Sequence, residues 1–184
     1  TSSDLDYIGS SALALNGGTI KDGSGNDAAV TLVAAGEEGS LGANKDIFVD
    51  GIVPTVSNVS AATADGLYMI GDSILVTLTF TEPVNVTGTP QVNLRTSSTN
   101  TFINYASGSG TTILSFDFVV ALGDSTSDLG YDDMNALTLN GGSVKDLAGN
   151  NAILGLASPG ADSSLAANKA LVIDGVLPFV NTIS

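Results

Sequence analysis

Apolar and polar residues alternate in short bursts along this chain, and no stretch settles into the three-to-four-residue step of an amphipathic helix. The clearest burst puts Ile74, Val76, Leu78 and Phe80 on one face, with Thr77 and Thr79 on the other. That period of two predicts a strand buried on one side. Val84–Val86 follows, then Gln91–Leu94 after the breaker Gly88-Thr89-Pro90. Phe102–Tyr105 and the alternating Leu114, Phe116, Phe118 and Val120 flank Ser107-Gly108-Ser109-Gly110, which predicts a hairpin. Further strands are expected at Ala136–Leu139, Ile153–Leu156 and Leu171–Ile173 and, nearer the start, at Ala12–Leu15 and Ile47–Val49.

One pattern recurs at a longer distance. Leu13–Asn26 (LALNGGTIKDGSGN) returns as Leu137–Asn150 (LTLNGGSVKDLAGN), 124 positions later. At that offset Thr1–Ser60 aligns with Ser125–Ser184 without a gap, and 27 of the 60 pairs are identical. The period is too long for one solenoid turn and suits one domain per repeat. The expected organisation is therefore 1–50 as the later half of one repeat, 51–175 as a complete repeat, and 176–184 as the first strand of the next. Thr1 falls inside a repeat, so the chain reads as a window on a longer array. The later half on its own would expose an apolar face and bare strand edges, so completion by further chain or by a neighbouring molecule is expected. Asp50-Gly51-Ile52-Val53-Pro54 and Asp174-Gly175-Val176-Leu177-Pro178 mark the junctions, where Pro stiffens a short linker.

Seven to nine short strands over roughly 120 residues, separated by turns, predict an all-β fold: an immunoglobulin-like antiparallel β-sandwich in tandem repeats. A small barrel or a jelly roll is the alternative. Twenty-two Gly suit tight turns, and 43% apolar residues suffice for a core. No apolar run approaches the roughly 18 residues of a membrane-spanning helix, so no membrane insertion is expected. Nineteen acids against five bases give a net charge of −14. An array of such repeats would be a polyanion, which repels nucleic acid and attracts cations.

Two motifs are more specific than the strand pattern. Phe80-Thr81-Glu82-Pro83-Val84 resembles the F-[ST]-E-P-V signature of bacterial immunoglobulin-like repeats, and Lys145-Asp146-Leu147-Ala148-Gly149-Asn150 resembles their K-D-x-A-G-N turn. The similarity spans 52–175, and 1–50 shares its later half. It implies tandem domains of giant secreted surface proteins: adhesins, biofilm matrix proteins and surface-layer-like coats. In these proteins such repeats act mostly as extenders at the cell surface, outside the cell. The implied partners are neighbouring repeats of the same protein, or neighbouring chains if the chain is the subunit of a filament or sheath.

Candidate chemistry centres on oxygen ligands. Without Cys there are no disulfides or thiolate metal sites, and without His the usual general base and zinc ligand are missing, so an enzyme is not expected. Calcium takes six to eight oxygens, several of them carboxylate, and could lend rigidity to such repeats. Asp50 and Asp174 sit where a cation could lock two domains. Asp124, Asp128, Asp132 and Asp133 share one loop, whose start has EF-hand-like spacing but lacks the turn Gly and the final Glu. The competing reading is solvated acids that confer solubility. Asp146 is expected to accept backbone N–H bonds inside its turn, with Gly149 and Asn150 tolerating positive φ. Glu82 is read either as a metal ligand or as an acceptor at a strand crossing. Carbohydrate or ice binding is a rival function, weakened by the lack of Trp and by a threonine pattern only one rung long, Thr77-x-Thr79.

Overall fold

The computed structural model of the protein describes residues 1–97 and 99–179, which divide into two compact units, Thr1–Ile52 and the residues from Val53 on. The second unit is all-β except for one helical turn. Its strands are β1 (Val56–Ala61), β2 (Gly66–Met69), β3 (Ser73–Thr87), β4 (Gln91–Thr96), β5 (Thr99–Ser107), β6 (Thr111–Val119), β7 (Ser125–Thr126), β8 (Gly130–Tyr131), β9 (Leu137–Thr138), β10 (Ser143–Lys145) and β11 (Leu171–Asp174). The larger sheet runs β1-β3-β6-β5-β4-β8, with β10 added to β3 and β9 to β4; β2-β11-β7 forms a second, smaller sheet. This arrangement of curled, mainly antiparallel sheets is consistent with a β-sandwich.

Alternation in β3 organises the core. Ile74, Val76, Leu78, Phe80 and Val84 are all buried, as are Leu114, Phe116 and Phe118 on the neighbouring β6. The rings of Phe116 and Tyr105 meet edge to face at 6.1 Å. Burying a side chain of this size contributes about 2 kcal/mol, so these two strands carry much of the unit's stability.

The strand read from the sequence as ending near Phe80 instead continues through Pro83 as a single element of 15 residues. It survives the proline because its partners change there. Val56–Ala61 pairs with Val76–Phe80, whereas Ser143–Lys145 pairs with Asn85–Thr87, and the ladder to β6 shifts register between Thr79 and Val84. Pro83 thus falls where no partner needs its missing N–H. Hydrogen bonds from Thr81 N–H to the Thr55 carbonyl (2.9 Å) and from Thr55 N–H to Thr81 Oγ1 (3.0 Å) hold the crossing.

Three expected strands do not form. Ile153–Leu156 makes only an isolated bridge from Ile153 to Thr55, although Leu156 is buried. In the first unit neither Ala12–Leu15 nor Ile47–Val49 is a strand; only the bridges Ser2–Val49 and Lys21–Asp27 occur there. The counterparts of those segments in the second unit pair with β4 and β2, strands that precede the aligned stretch in the chain. The first unit has no such strands to pair with. Beyond the second junction, Val176–Phe179 is not in a strand, and the rest of the strand expected at 176–184 lies outside the described residues.

Each unit also contains a helical turn that the alternation did not predict, α1 (Leu41–Asn44) and α2 (Leu165–Asn168). Ser40 and Ser164 cap them, accepting the N–H of Ala43 at 3.1 Å and of Ala167 at 3.3 Å. One turn is too short for periodicity to register in sequence. Among the described residues, no helix is long and apolar enough to cross a membrane.

Candidate functional site

The Lys-Asp-x-x-Gly-Asn turn folds around its own carboxylate in both copies. Asp146 Oδ1 accepts the N–H of Asn150 and Oδ2 accepts the Asn150 side-chain amide, both at 2.8 Å. Asp22 holds Asn26 in the same way at 2.9 Å and also accepts the N–H of Ser24. Burial pushes the Asp146 pKa up, but the Asn150 amide and the N–H groups of Asn150, Gly149 and Ala148 outweigh it and hold the carboxyl below its ordinary range. Gly149 takes the positive φ expected of it, at 95°; Asn150 is absent from the positive-φ residues and contributes its side chain instead.

Pairing of β10 with the far end of β3 carries this turn to the strand crossing. A carboxylate oxygen of half-buried Glu82 lies within 4.8 Å of one from buried Asp146. The F-T-E-P-V and K-D-x-A-G-N motifs, 64 positions apart from Glu82 to Asp146, therefore share one location. Two carboxylates at such a distance make an oxygen-rich corner suited to a hard cation. Sequence spacing could not reveal this meeting, which depends on the β3–β10 register.

The remaining candidate acids each make local contacts of their own. Asp50 and Asp174 each close a small turn, accepting the N–H of Ile52 at 3.0 Å and of Val176 at 3.2 Å. Asp124 is buried, and its carboxylate accepts Thr96 Oγ1 at 2.7 Å and Ala121 N–H at 2.8 Å. Its backbone meets the second junction, where Gly175 N–H donates to the Asp124 carbonyl at 2.7 Å. Asp132 lies 3.7 Å from the Arg95 guanidinium, and Asp133 accepts Asn135 N–H at 2.6 Å. Asp128 Oδ1 is buried with no hydrogen-bond partner among the described residues. No three of Asp124, Asp128, Asp132, Asp133 and Asp174 bring ligand atoms together among the described residues.

A separate pocket of about 390 Å³ opens between the loop after β7 and the cap of α2. Arg95, Asp128, Gly130, Gly160, Ser164 and Ala166 are among the residues that line it. Tyr131 also lines it: the ring is buried and its hydroxyl donates to the Ala157 carbonyl at 2.8 Å. Tyr7, 124 positions earlier, makes the matching bond to Val33 at 2.6 Å. No family model, no curated protein and no solved structure matches the chain.

Proposed function

We propose that the protein is a non-catalytic extender, in which immunoglobulin-like domains repeat every 124 residues along a large extracellular bacterial adhesin, matrix or surface-layer protein. The observation that carries this reading is the gapless repeat together with its reproduction of local geometry. The capped helical turn, the Asp-centred turn, the tyrosine-to-carbonyl bond and the Asp-Gly junction turn all occur at matching positions. Repetition of scaffold features across domains suits a part whose task is length.

Calcium at the acidic junctions would add stiffness, since an array with eleven acids and three bases per period (Gly51–Asp174) otherwise repels itself. Asp50 and Asp174 mark those junctions, and the Glu82–Asp146 corner supplies a further pair of carboxylates. Melting temperature and maximum dimension, measured with calcium and then with a chelator, test this: both are expected to fall on chelation. If neither changes, the calcium part fails while the extender reading stands.

A filament or sheath subunit is the second reading, favoured by one observation. Leu13, Leu15, Leu41 and Val49 of the first unit are 38–42% exposed, whereas Leu137, Leu165 and Ile173, the counterparts of three of them, are buried. Front-half strands from another chain would cover them. Sedimentation across a concentration series tests it, and a monomer at every concentration would contradict it.

A further inference from the structure

An aromatic ring lies open on the outer face of the larger sheet. In β5 the alternation buries Ile103 and turns Phe102 outward, 56% exposed. Its register partner on β4 is Asn93, so the two side chains share that face directly opposite each other. A single exposed apolar side chain is ordinary on its own. This one borders a cleft of about 250 Å³, whose lining also includes Asn93, Asp132, Asp133, Asn135 and Thr138.

Several elements meet there. Strands β4 and β5 supply Asn93 and Phe102, the loop between β8 and β9 supplies Asp132, Asp133 and Asn135, and β9 supplies Thr138. Asp133 fixes the loop by accepting the Asn135 N–H at 2.6 Å, and Asp132 lies 3.7 Å from the Arg95 guanidinium. Asn93 Oδ1 is buried with no hydrogen-bond partner among the described residues. An amide oxygen left in that state costs about 1–3 kcal/mol, and a turn of the side chain toward the cleft would bring it to a ligand hydroxyl.

The polar set is not part of what the two aligned stretches share. At the 124-residue offset Asp132, Asp133, Asn135 and Thr138 face Ile8, Gly9, Ser11 and Ala14. Ala136 and Leu137, buried between them, face Ala12 and Leu13. The core positions are thus kept while the outward ones change, and the shared turn and core chemistry does without these polar side chains.

We propose that this cleft binds a single neutral pyranose ring, stacked on Phe102 and hydrogen-bonded by Asn93, Asp132, Asp133, Asn135 and Thr138. The face of a phenyl ring is negative, and pyranose C–H bonds, polarised by the neighbouring oxygens, pack against it. Carboxylates accept from sugar hydroxyls, amides both donate and accept, and the threonine hydroxyl does either, a mixture that suits a polyol. An organic cation would use the ring and the acids but leave the amides idle. Two carboxylates and a net charge of −14 disfavour uronic acids. The volume lies just below the ~300–1,000 Å³ of drug-sized ligand sites, which limits the ligand to about one ring. This inference is independent of the extender reading, because a ligand site on one domain neither requires nor forbids an array.

The test titrates methyl β-glucoside, methyl β-galactoside and methyl α-mannoside into the whole chain with a chelator present, followed by amide NMR. At least one of them is expected to shift Asn93, Phe102 and Asn135 saturably, with a Kd on the order of 1 mM. Glucuronate and tetramethylammonium are expected to bind several-fold more weakly. Phe102→Ala should weaken sugar binding roughly tenfold, and Phe102→Leu nearly as much, because the ring face is lost. Phe102→Trp should tighten it. All three variants should melt within a few degrees of the parent, since the side chain lies largely in solvent. Ile113→Ala, at an exposed β6 position outside the lining, should leave binding unchanged. No saturable shift with any of the three sugars, tetramethylammonium binding as tightly as the best sugar, or undiminished binding in the folded Phe102→Ala chain would each overturn the proposal.

Discussion

Residues 1–50 and 125–174 align with each other without a gap, yet they differ in what surrounds them. In the second version Leu137–Thr138, Ser143–Lys145 and Leu171–Asp174 are strands, because β4, β3 and β2 supply their partners. In the first the same segments remain irregular. What persists in both is short-range: the Asp22 and Asp146 turns, the serine-capped helical turns, and the Tyr7 and Tyr131 hydroxyl bonds. Even identical residues redirect. Asn168 donates its amide to Asn58 Oδ1 and the Val59 carbonyl on β1, whereas Asn44 turns back to the carbonyl of Ser40. Lys169 reaches Asp65 at 2.9 Å and helps to hold that carboxyl below its ordinary pKa, the salt-bridge hydrogen bond being the largest cause. Turn chemistry is thus written locally, while strands and burial need a partner from elsewhere in the chain.

Substitutions at matched positions sharpen this contrast. The largest difference is expected at the helical turns: Leu165→Ala removes a fully buried side chain and should cost about 3 kcal/mol in urea denaturation. Leu41→Ala, at a site 38% exposed, should cost well under half of that. Equal costs would mean that the two copies share one environment after all.

Gly142→Ala comes next. A Cβ there would fall on the carbonyl oxygen of Thr87 in β3, because the Asn-Gly-Gly turn brings β10 close to that strand. The matching Cβ on Gly18 meets only the Leu15 carbonyl at 3.2 Å. Gly142→Ala should therefore destabilise by about 2 kcal/mol, and Gly18→Ala by far less, as read by melting followed with circular dichroism.

Ser163→Gly acts in the opposite direction. Ser163 holds a φ of 68° where the first copy has Gly39 at 95°, so the substitution should stabilise the second unit by about 1 kcal/mol. No gain in melting temperature would show that the serine side chain offsets its backbone strain.

The smallest effect is a pH dependence. The Asp146 carboxyl titrates below its unfolded value of about 3.9. Its contribution is therefore fully present above that value and is lost as pH falls through the folded pKa. Asp146→Asn should destabilise at pH 7, and the deficit should shrink as pH falls below about 4. A deficit independent of pH would assign the effect to shape rather than charge.

Much of the second unit was legible in sequence. The alternation at Ile74–Phe80 and the Ser107–Gly110 hairpin signal both describe real strands, since each pattern lies within one strand or between adjacent ones. The parallel pairing of Leu171–Asp174 with Gly66–Met69 was not legible, because those strands are about a hundred residues apart and β2 is only four residues long. The acids divide along the same line. Asp146 could be read from its own turn. Asp124 reads from its loop as a candidate cation ligand, yet it is buried against Thr96, a residue that its loop sequence does not name.

The most direct test of an extender is length against number of repeats. Small-angle scattering from chains of one, two and three periods should show the maximum dimension growing by a constant step. A maximum dimension that levels off as periods are added, as it would for units folding back into one compact body, would contradict the account.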